Sequence, residues 1–298
     1  MLPEVEILDL AGPLQAFSEA NAERKRYRIR ICATREQIAS HQGVTLAGLD
    51  PLPDDVDAKT LVVVPGMPYA ATQKIERSVT RWLAVAAAAG AHMTSVCTGA
   101  FALGEAGLLD GKRCTTHWAR TEELARRYPR ARVLQDRLYV TDGSVTTSAG
   151  IASGIDMALA SIEQADGPLV AAAVAREMVV YMRRDGAHEQ QSVYLDFRTH
   201  LHPGIHRVQD WIVQNPATRA TLDELAELAG MSARSLTRTF RSATGISVHD
   251  FTTRVRMELA RTLLHDPGLT MDGIAQRCGF SARQLRRIGV RQREQANA

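Results

Sequence analysis

Several residue types and patterns are scarce in this 298-residue sequence, and each scarcity narrows the reading. The four cysteines, Cys32, Cys97, Cys114 and Cys278, are far apart with no C-x-x-C pair. That excludes a disulfide framework and a thiolate zinc site and leaves reduced thiols as the expectation. No uninterrupted apolar run reaches the roughly 18 residues of a membrane span. The opening MLPEVEILDL carries acids where a secretory leader would carry Lys or Arg, so a cytoplasmic protein without membrane contact is expected. Lysine is nearly missing, with 4 Lys beside 32 Arg. Charged residues make up 23% and hydrophobic ones 45%, a balance that excludes a disordered or collagen-like chain and permits a sizeable buried core.

The length exceeds the usual domain mode of roughly 100–150 residues, so two domains are expected. Up to about Arg184, β-branched runs alternate with helical stretches, the pattern of an α/β domain around a largely parallel sheet. Strands are expected at Arg28–Ala33, Thr60–Val64, Ala91–Val96 and Arg113–His117. A further strand from Arg132 leads to a hairpin in which Asp142-Gly143 turns Leu138–Thr141 into Ser144–Thr147. Helices are expected over Pro13–Ala22, Thr72–Ala89, Thr98–Ala106, Trp118–Tyr128, Ile151–Glu163 and Leu169–Arg183. This gives a first domain over 1–185, a linker over 186–204 and a second domain over 205–298.

The linker text AHEQQSVYLDFRTHLHPG is polar and has no sustained period. His188, His200, His202 and His206 are of metal-binding type, but their spacing matches neither H-x-x-x-H on a reliable helix nor a Cys-assisted site. A plain connector, with no metal and no cofactor, is the expectation.

The last third holds an internal repeat at an offset of 49 residues. TLDELAELAGMSARSLTR at Thr221–Arg238 aligns without gaps with TMDGIAQRCGFSARQLRR at Thr270–Arg287. Each copy opens with Thr and Asp at helix-start positions and reaches a Gly where the chain must turn, Gly230 and Gly279. Each then offers a Ser, Ser232 or Ser281, to cap a second helix. Leu236 and Phe240 face a core, leaving Arg234, Ser235, Arg238 and Arg241 outside; in the second copy Leu285 packs inward and Arg283, Gln284, Arg286 and Arg287 point out. This is helix-turn-helix logic. Long donors near a recognition-helix N-terminus read base edges, at about 1–3 kcal/mol per bidentate pair. One such motif is equally well explained by ordinary solvated arginines, whereas two at a fixed offset favour DNA reading. Residues 205–298 also hold 14 Arg, no Lys and 9 acids, while the upstream part is slightly acidic. Between the copies Phe251, Val255, Leu259 and Leu263 recur every four residues, so one long helix should hold two reading helices for successive major grooves, about 34 Å apart.

From His206 onward the chain resembles the DNA-binding domain of AraC-type regulators, on the ATGIS turn at Ala243–Ser247, the MELARTLL helix and the CGFS run at Cys278–Ser281. The family usually continues with an aromatic-basic helix and a second Gly-x-Ser-Pro turn. This chain ends GVRQREQANA, so its second unit is expected to be less fully closed.

In the first domain, HMTSVCTGAFALGEAGLL places a strand, then Cys97, then a Gly-containing helix start, the elbow that presents a nucleophile above a sheet. A helix N-terminus favours thiolate over thiol, so a reactive Cys97 is one expectation and an ordinary buried cysteine the other. Around it, VCTGAFALGEAGLLDGKRCTTHW, LDLAGPLQAF at Leu8–Phe17 and TTSAGIASGIDMAL at Thr146–Leu159 resemble the PfpI-like members of the class I glutamine-amidotransferase-like superfamily. That resemblance implies a flavodoxin-like α/β three-layer sandwich with a mostly parallel sheet, followed here by the all-α domain with two helix-turn-helix units. It also implies a small pocket at Cys97, approached by Asp9 and by the Pro65-Gly66 turn. PfpI-type proteases place His directly after the cysteine, where this sequence has Thr98, so their dyad is missing. His117 approaches from the next strand as a structural histidine or a base. Relatives begin with an apolar strand, whereas Met1-Leu2-Pro3 stands almost at the following loop. That strand is therefore expected to be absent, either because the start of the sequence lies too late or because the sheet tolerates a gap whose unpaired backbone groups are satisfied elsewhere.

An elbow domain joined to paired helix-turn-helix units resembles the GlxA-type group of AraC-family regulators. The resemblance implies a transcription regulator that binds promoter DNA and senses a small, nitrogen-containing metabolite through Asp9, Gly66, Cys97, Thr98 and His117. A homodimer is expected, with RNA polymerase as a partner if the output is activation. The alternative is an enzyme, isocyanide hydratase-like or amidase-like, with Cys97 as its catalytic residue.

Overall fold

The computed structural model describes residues 1–68, 75–180, 184–186, 190, 192–264, 268–281 and 283–285. They form two compact units, Met1–Gln190 and Gln191–Ala298, divided inside the stretch expected as a linker.

The first unit contains helix α1 (Ile7–Glu19), a small antiparallel pair β1 (Gln37–Ala39) and β2 (Thr45–Ala47), and strand β3 (Leu61–Val64). Helix α2 (Arg77–Ala88), strand β4 (His92–Val96), a 3-10 turn at Cys97–Gly99 and helix α3 (Ala100–Glu105) follow. Then come β5 (Arg113–Cys114), α4 (Thr121–Arg127), β6 (Arg132–Val133), β7 (Tyr139–Asp142), β8 (Val145–Ser148), α5 (Ser153–Asp166) and α6 (Pro168–Glu177). The main sheet runs β3-β4-β8-β7; β3, β4 and β8 are parallel and β7 is antiparallel to β8. One face buries Leu83, Phe101, Leu103 and Leu124 against Val62, Val64 and Met93; Phe17, Leu159, Ile162 and Val174 of α1, α5 and α6 form a separate cluster. The unit is therefore the expected three-layer, mostly parallel sandwich. β8 is buried at all four positions despite the text VTTS, because its hydroxyls find partners. Thr147 Oγ1 accepts from the Thr115 N–H at 2.8 Å, and Ser148 Oγ donates to the Ser95 carbonyl at 3.2 Å.

Several local expectations change. Arg28–Ala33 is not a strand: only Cys32 bridges to Asp50, and the Met1 ammonium donates to the Cys32 carbonyl. An alternating sequence cannot make a ladder without a neighbour. Of Arg113–His117 only the first two residues pair, with β6, because Thr115 turns its N–H to a side chain. The first helix starts six residues earlier than expected, at Ile7 rather than Pro13, leaving Pro13 inside it and placing Asp9, fully buried, in its first turn. The hairpin forms one residue later than read: Asp142 pairs with Val145, and Gly143 takes the left-handed position at φ 62°. Residues 72–74 and 181–183, ends of two expected helices, lie outside the described residues.

The second unit is helical: α7 (Val193–Asp196), α8 (Pro203–Gln214), α9 (Leu222–Ala229), α10 (Ala233–Thr244), α11 (Val248–Leu263) and α12 (Met271–Arg277), with residues 283–285 opening another helix. The repeat is reproduced in its caps. Thr221 and Thr270 cap α9 and α12, and Gly230 and Gly279 turn left-handed at φ 70° and 69°. Ser232 and Ser281 each accept from the N–H three residues on. The strut α11 serves two cores. Phe251 and Val255 pack with Ile205, Leu236 and Phe240, and Ala260 packs with Ile274, Cys278 and Leu285. No helix among the described residues is long and apolar enough to cross a membrane.

Candidate functional site

Strand β4 ends and the chain turns sharply at Cys97, which adopts φ 56°. A non-glycine residue in that left-handed region is strained, and the surroundings hold it there. Thr98 Oγ1 donates to the Met67 carbonyl at 2.6 Å and accepts from the Met67 N–H at 2.8 Å, so the elbow is tied to the loop after β3. Thr116 Oγ1 donates to the Cys97 carbonyl at 2.7 Å.

Asp9 reaches this elbow from α1. Its Oδ2 accepts from the Gly66 N–H at 3.2 Å and its Oδ1 from the Ile151 N–H at 3.0 Å. Gly66 is required by space: a Cβ there would lie 2.5 Å from Asp9 Oδ2, 2.8 Å from Thr98 Oγ1 and 2.9 Å from Cys97 Cβ. Four of the five expected ligand residues, Asp9, Gly66, Cys97 and Thr98, are thus in one cluster. The fifth, His117, borders it through Gly150, whose added Cβ would meet His117 Cδ2 at 3.0 Å and Cys97 Sγ at 3.2 Å. Gly150, Ile151 and Thr116 were not singled out from the sequence. Gly150-Ile151 sits inside the TTSAGIASG run, whose only signal in the sequence is its PfpI-like resemblance.

The electrostatics correct one expectation. Burial, and after it the neighbouring Asp9 carboxylate, together push the Cys97 thiol up to about 12, against the lowering effect of Thr98. The thiol is therefore neutral at physiological pH. The short turn and six-residue helix after it do not supply enough dipole to make a thiolate. Burial also raises Asp9 to about 6, against the lowering effect of the Gly66 and Ile151 N–H groups. His117 Nδ1 accepts from the Ala119 N–H at 3.3 Å, capping a 3-10 turn, and burial together with Arg120 lowers its pKa. Its geometry is that of a structural histidine.

Gln190 closes the other end of this arrangement. Its Nε2 donates to the Thr116 carbonyl at 2.9 Å and to Thr115 Oγ1 at 3.2 Å. The last residue of the first unit is thereby two hydrogen bonds from the cysteine.

On the second unit Arg234, Arg238 and Arg241 are exposed along α10, and Arg283 is exposed on the helix start at 283–285; none forms an ion pair with another described residue. Ser235 is half-buried and its N–H is spent on the Ser232 cap. Gln284 is also engaged: its Oε1 accepts from the Ser281 N–H and Oγ, both at 2.9 Å, which makes it a capping-box residue. Arg286 and Arg287 lie outside the described residues, as does His188. His200 and His206 stack with ring centroids 4.4 Å apart, and among the described residues no group of three or more His, Cys, Asp or Glu is placed to hold a metal.

Comparison with known proteins places both units. A family model described as DJ-1/PfpI family matches residues 1–164, and one described as a helix-turn-helix domain matches 225–289. The HTH-type transcriptional regulator GbdR of Pseudomonas aeruginosa is 29% identical over 288 residues, 94% of this chain and 76% of that protein. Isonitrile hydratase of Pseudomonas putida is 31% identical over 167 residues, 56% of this chain and 70% of the enzyme. A crystal structure of an AraC family transcriptional regulator from Pseudomonas putida has a TM-score of 0.52 at 21% identity, covering 59% of this chain and 95% of that one, a likeness of fold.

Proposed function

Because this chain belongs to the DJ-1/PfpI family through its first unit and carries an AraC-type helix-turn-helix domain in its second, we propose that it is a transcription regulator switched by a small nitrogen-containing metabolite bound at Asp9, Gly66, Cys97 and Thr98. The observation that carries this reading is the hydrogen-bonded path from Cys97 through Thr116 to Gln190, where the first unit ends. A ligand that displaces the Cys97 carbonyl acts on Thr116 and hence on the segment leading to the reading helices. Such coupling needs a differential affinity between the two states, and it is reciprocal. Asp9 is the group to meet a donor N–H, and the neutral thiol a weak second partner. A homodimer on promoter DNA, contacting RNA polymerase when it activates, suits paired half-sites.

The test is titration of the full chain with a panel of small amines and amides, by calorimetry, with and without its DNA. The expected result is a binder whose affinity changes severalfold on DNA and which Asp9→Ala abolishes. Equal affinity in both states would contradict the coupling.

A second reading, a hydratase, is favoured by one observation: the Asp9 carboxyl and Cys97 crowd the same side of Gly66, and burial raises that carboxyl to about 6, so a proton acceptor stands near the thiol. Turnover of an isocyanide panel that is lost in Cys97→Ser would support it, and no wild-type turnover would dismiss it.

A further inference from the structure

The second unit contains a crevice of about 880 Å³ between its two helix-turn-helix copies. One wall reaches Thr237 on α10, the other Gly279 and Gln284 of the second copy, and the N-terminal half of α11 forms part of its lining. Thr237 stands three residues after Arg234 and four before Arg241, so it shares their helix face. The crevice therefore opens between the two reading helices.

Among the described residues its lining carries no carboxylate, while Arg219, His249 and Arg256 all contribute to it. The nearest acids on the flanking helix starts are committed to caps: Glu224 accepts from the Thr221 N–H and Asp250 from Ser247 Oγ, both at 2.7 Å. Arg256 is fixed by neutral acceptors, donating from Nε to the Pro216 carbonyl at 2.7 Å and from Nη2 to the Thr218 carbonyl at 3.2 Å. A Cβ on Gly279 would lie 3.1 Å from its Cζ, so the guanidinium bridges the loop before α9 and the turn of the second copy. Burial, and after it the exposed Arg219 nearby, disfavour the charge of Arg256. Two like charges with no carboxylate among the described residues of the lining, beside the Thr253 hydroxyl, are an arrangement completed by an anion.

The geometry points to the sugar–phosphate backbone of the operator as that anion: where the duplex passes from one major groove to the next, its phosphates enter this crevice and are held by Arg219 and Arg256. This rests on the reading that both copies engage one duplex. Between two major grooves about one turn apart, the surface presented to the strut is phosphate and sugar. Contacts there set register and spacing between half-sites and carry no base preference themselves.

The test uses the full chain and duplexes it selects from a random library. For Arg219→Gln the slope of log affinity against log salt falls by about one, with base preference at both half-sites unchanged. Neutral methylphosphonates placed between the half-sites weaken the wild type severalfold and affect Arg219→Gln little. Arg256→Lys keeps the charge but loses part of the loop contact, and retains the salt slope. An unchanged slope in Arg219→Gln, or methylphosphonates without effect, would overturn the assignment. So would inorganic phosphate competing with DNA at constant ionic strength in the wild type and equally in Arg219→Gln, which would mark an anion site elsewhere. If no sequence is selected, the failure lies with base reading by Arg234 and Arg283. A lower salt slope for Arg219→Gln on arbitrary duplex would still support the crevice.

Discussion

The two units handle polar groups in opposite ways. The first buries a carboxylate and a thiol side by side, Asp9 at 0% exposure and Cys97 at 8%, with backbone N–H groups as the carboxylate's partners and a strained φ at the elbow. The second keeps Arg234, Arg238, Arg241 and Arg283 at the surface and spends its short polar side chains on helix caps, with Gln209 its one fully buried polar side chain among the described residues. On the proposed reading, the unit that responds to a ligand holds unfavourable electrostatics at one point, where binding can relieve them. A unit that must present side chains to DNA needs only a rigid frame.

The largest effect expected from this contrast is the pH dependence of Asp9. Its carboxyl is raised to about 6 in the folded chain and lies near about 4 when unfolded. The native state therefore holds the proton more tightly. Its favourable contribution is present below pH about 4 and is lost as pH rises through about 6. Asp9→Asn removes that dependence, so its stability relative to wild type should improve by up to about 3 kcal/mol between pH 4 and pH 7, as read by denaturant melts at the two pH values. A constant difference would mean that the carboxyl is not destabilised by burial.

A smaller effect should separate the two turns of the repeat. Gly230 and Gly279 share a left-handed conformation, but a Cβ at Gly230 meets nothing closer than 3.9 Å, while at Gly279 it meets Ala217 backbone at 3.0 Å. Gly230→Ala should cost about 1–2 kcal/mol from conformation alone, and Gly279→Ala clearly more. Equal costs in thermal melts would show that the second copy yields where the first does not.

For base reading, Arg234→Ala and Arg283→Ala should each relax preference at one half-site by about 1–3 kcal/mol. Uniform weakening across sequences would make them phosphate contacts instead. Gln284→Ala should have the smallest effect, about 1 kcal/mol of stability from the lost cap with base preference unchanged. A changed preference would show that the capping box opens on DNA.

What was legible in the sequence follows the same division. Caps and left-handed glycines are local devices, so the parts of Thr221, Gly230, Ser232 and their partners 49 residues on could be read before the fold was known. Phe251 and Val255 likewise announced the strut by period alone. The Asp9, Gly66 and Cys97 cluster was reached only through family resemblance, because 57 residues separate Asp9 from Gly66 and no spacing rule joins them. The strand expected at Arg28–Ala33 failed because a ladder depends on a neighbour, which an alternating pattern does not provide. For Cys97 the helix start that favours a thiolate is a local signal, whereas the burial that raises the thiol is a property of the whole unit. Gln284 reads by residue type as an outward donor, while its second part, accepting through Oε1 from Ser281 three residues earlier, shows only in the folded cap.

The most direct test of the account is to sequence the genomic fragments retained by the full chain at physiological salt, beside Arg234→Ala. The account predicts a shared bipartite sequence with half-sites about one helical turn apart, degraded at one half in the variant. Featureless retention that is the same for both proteins would contradict it.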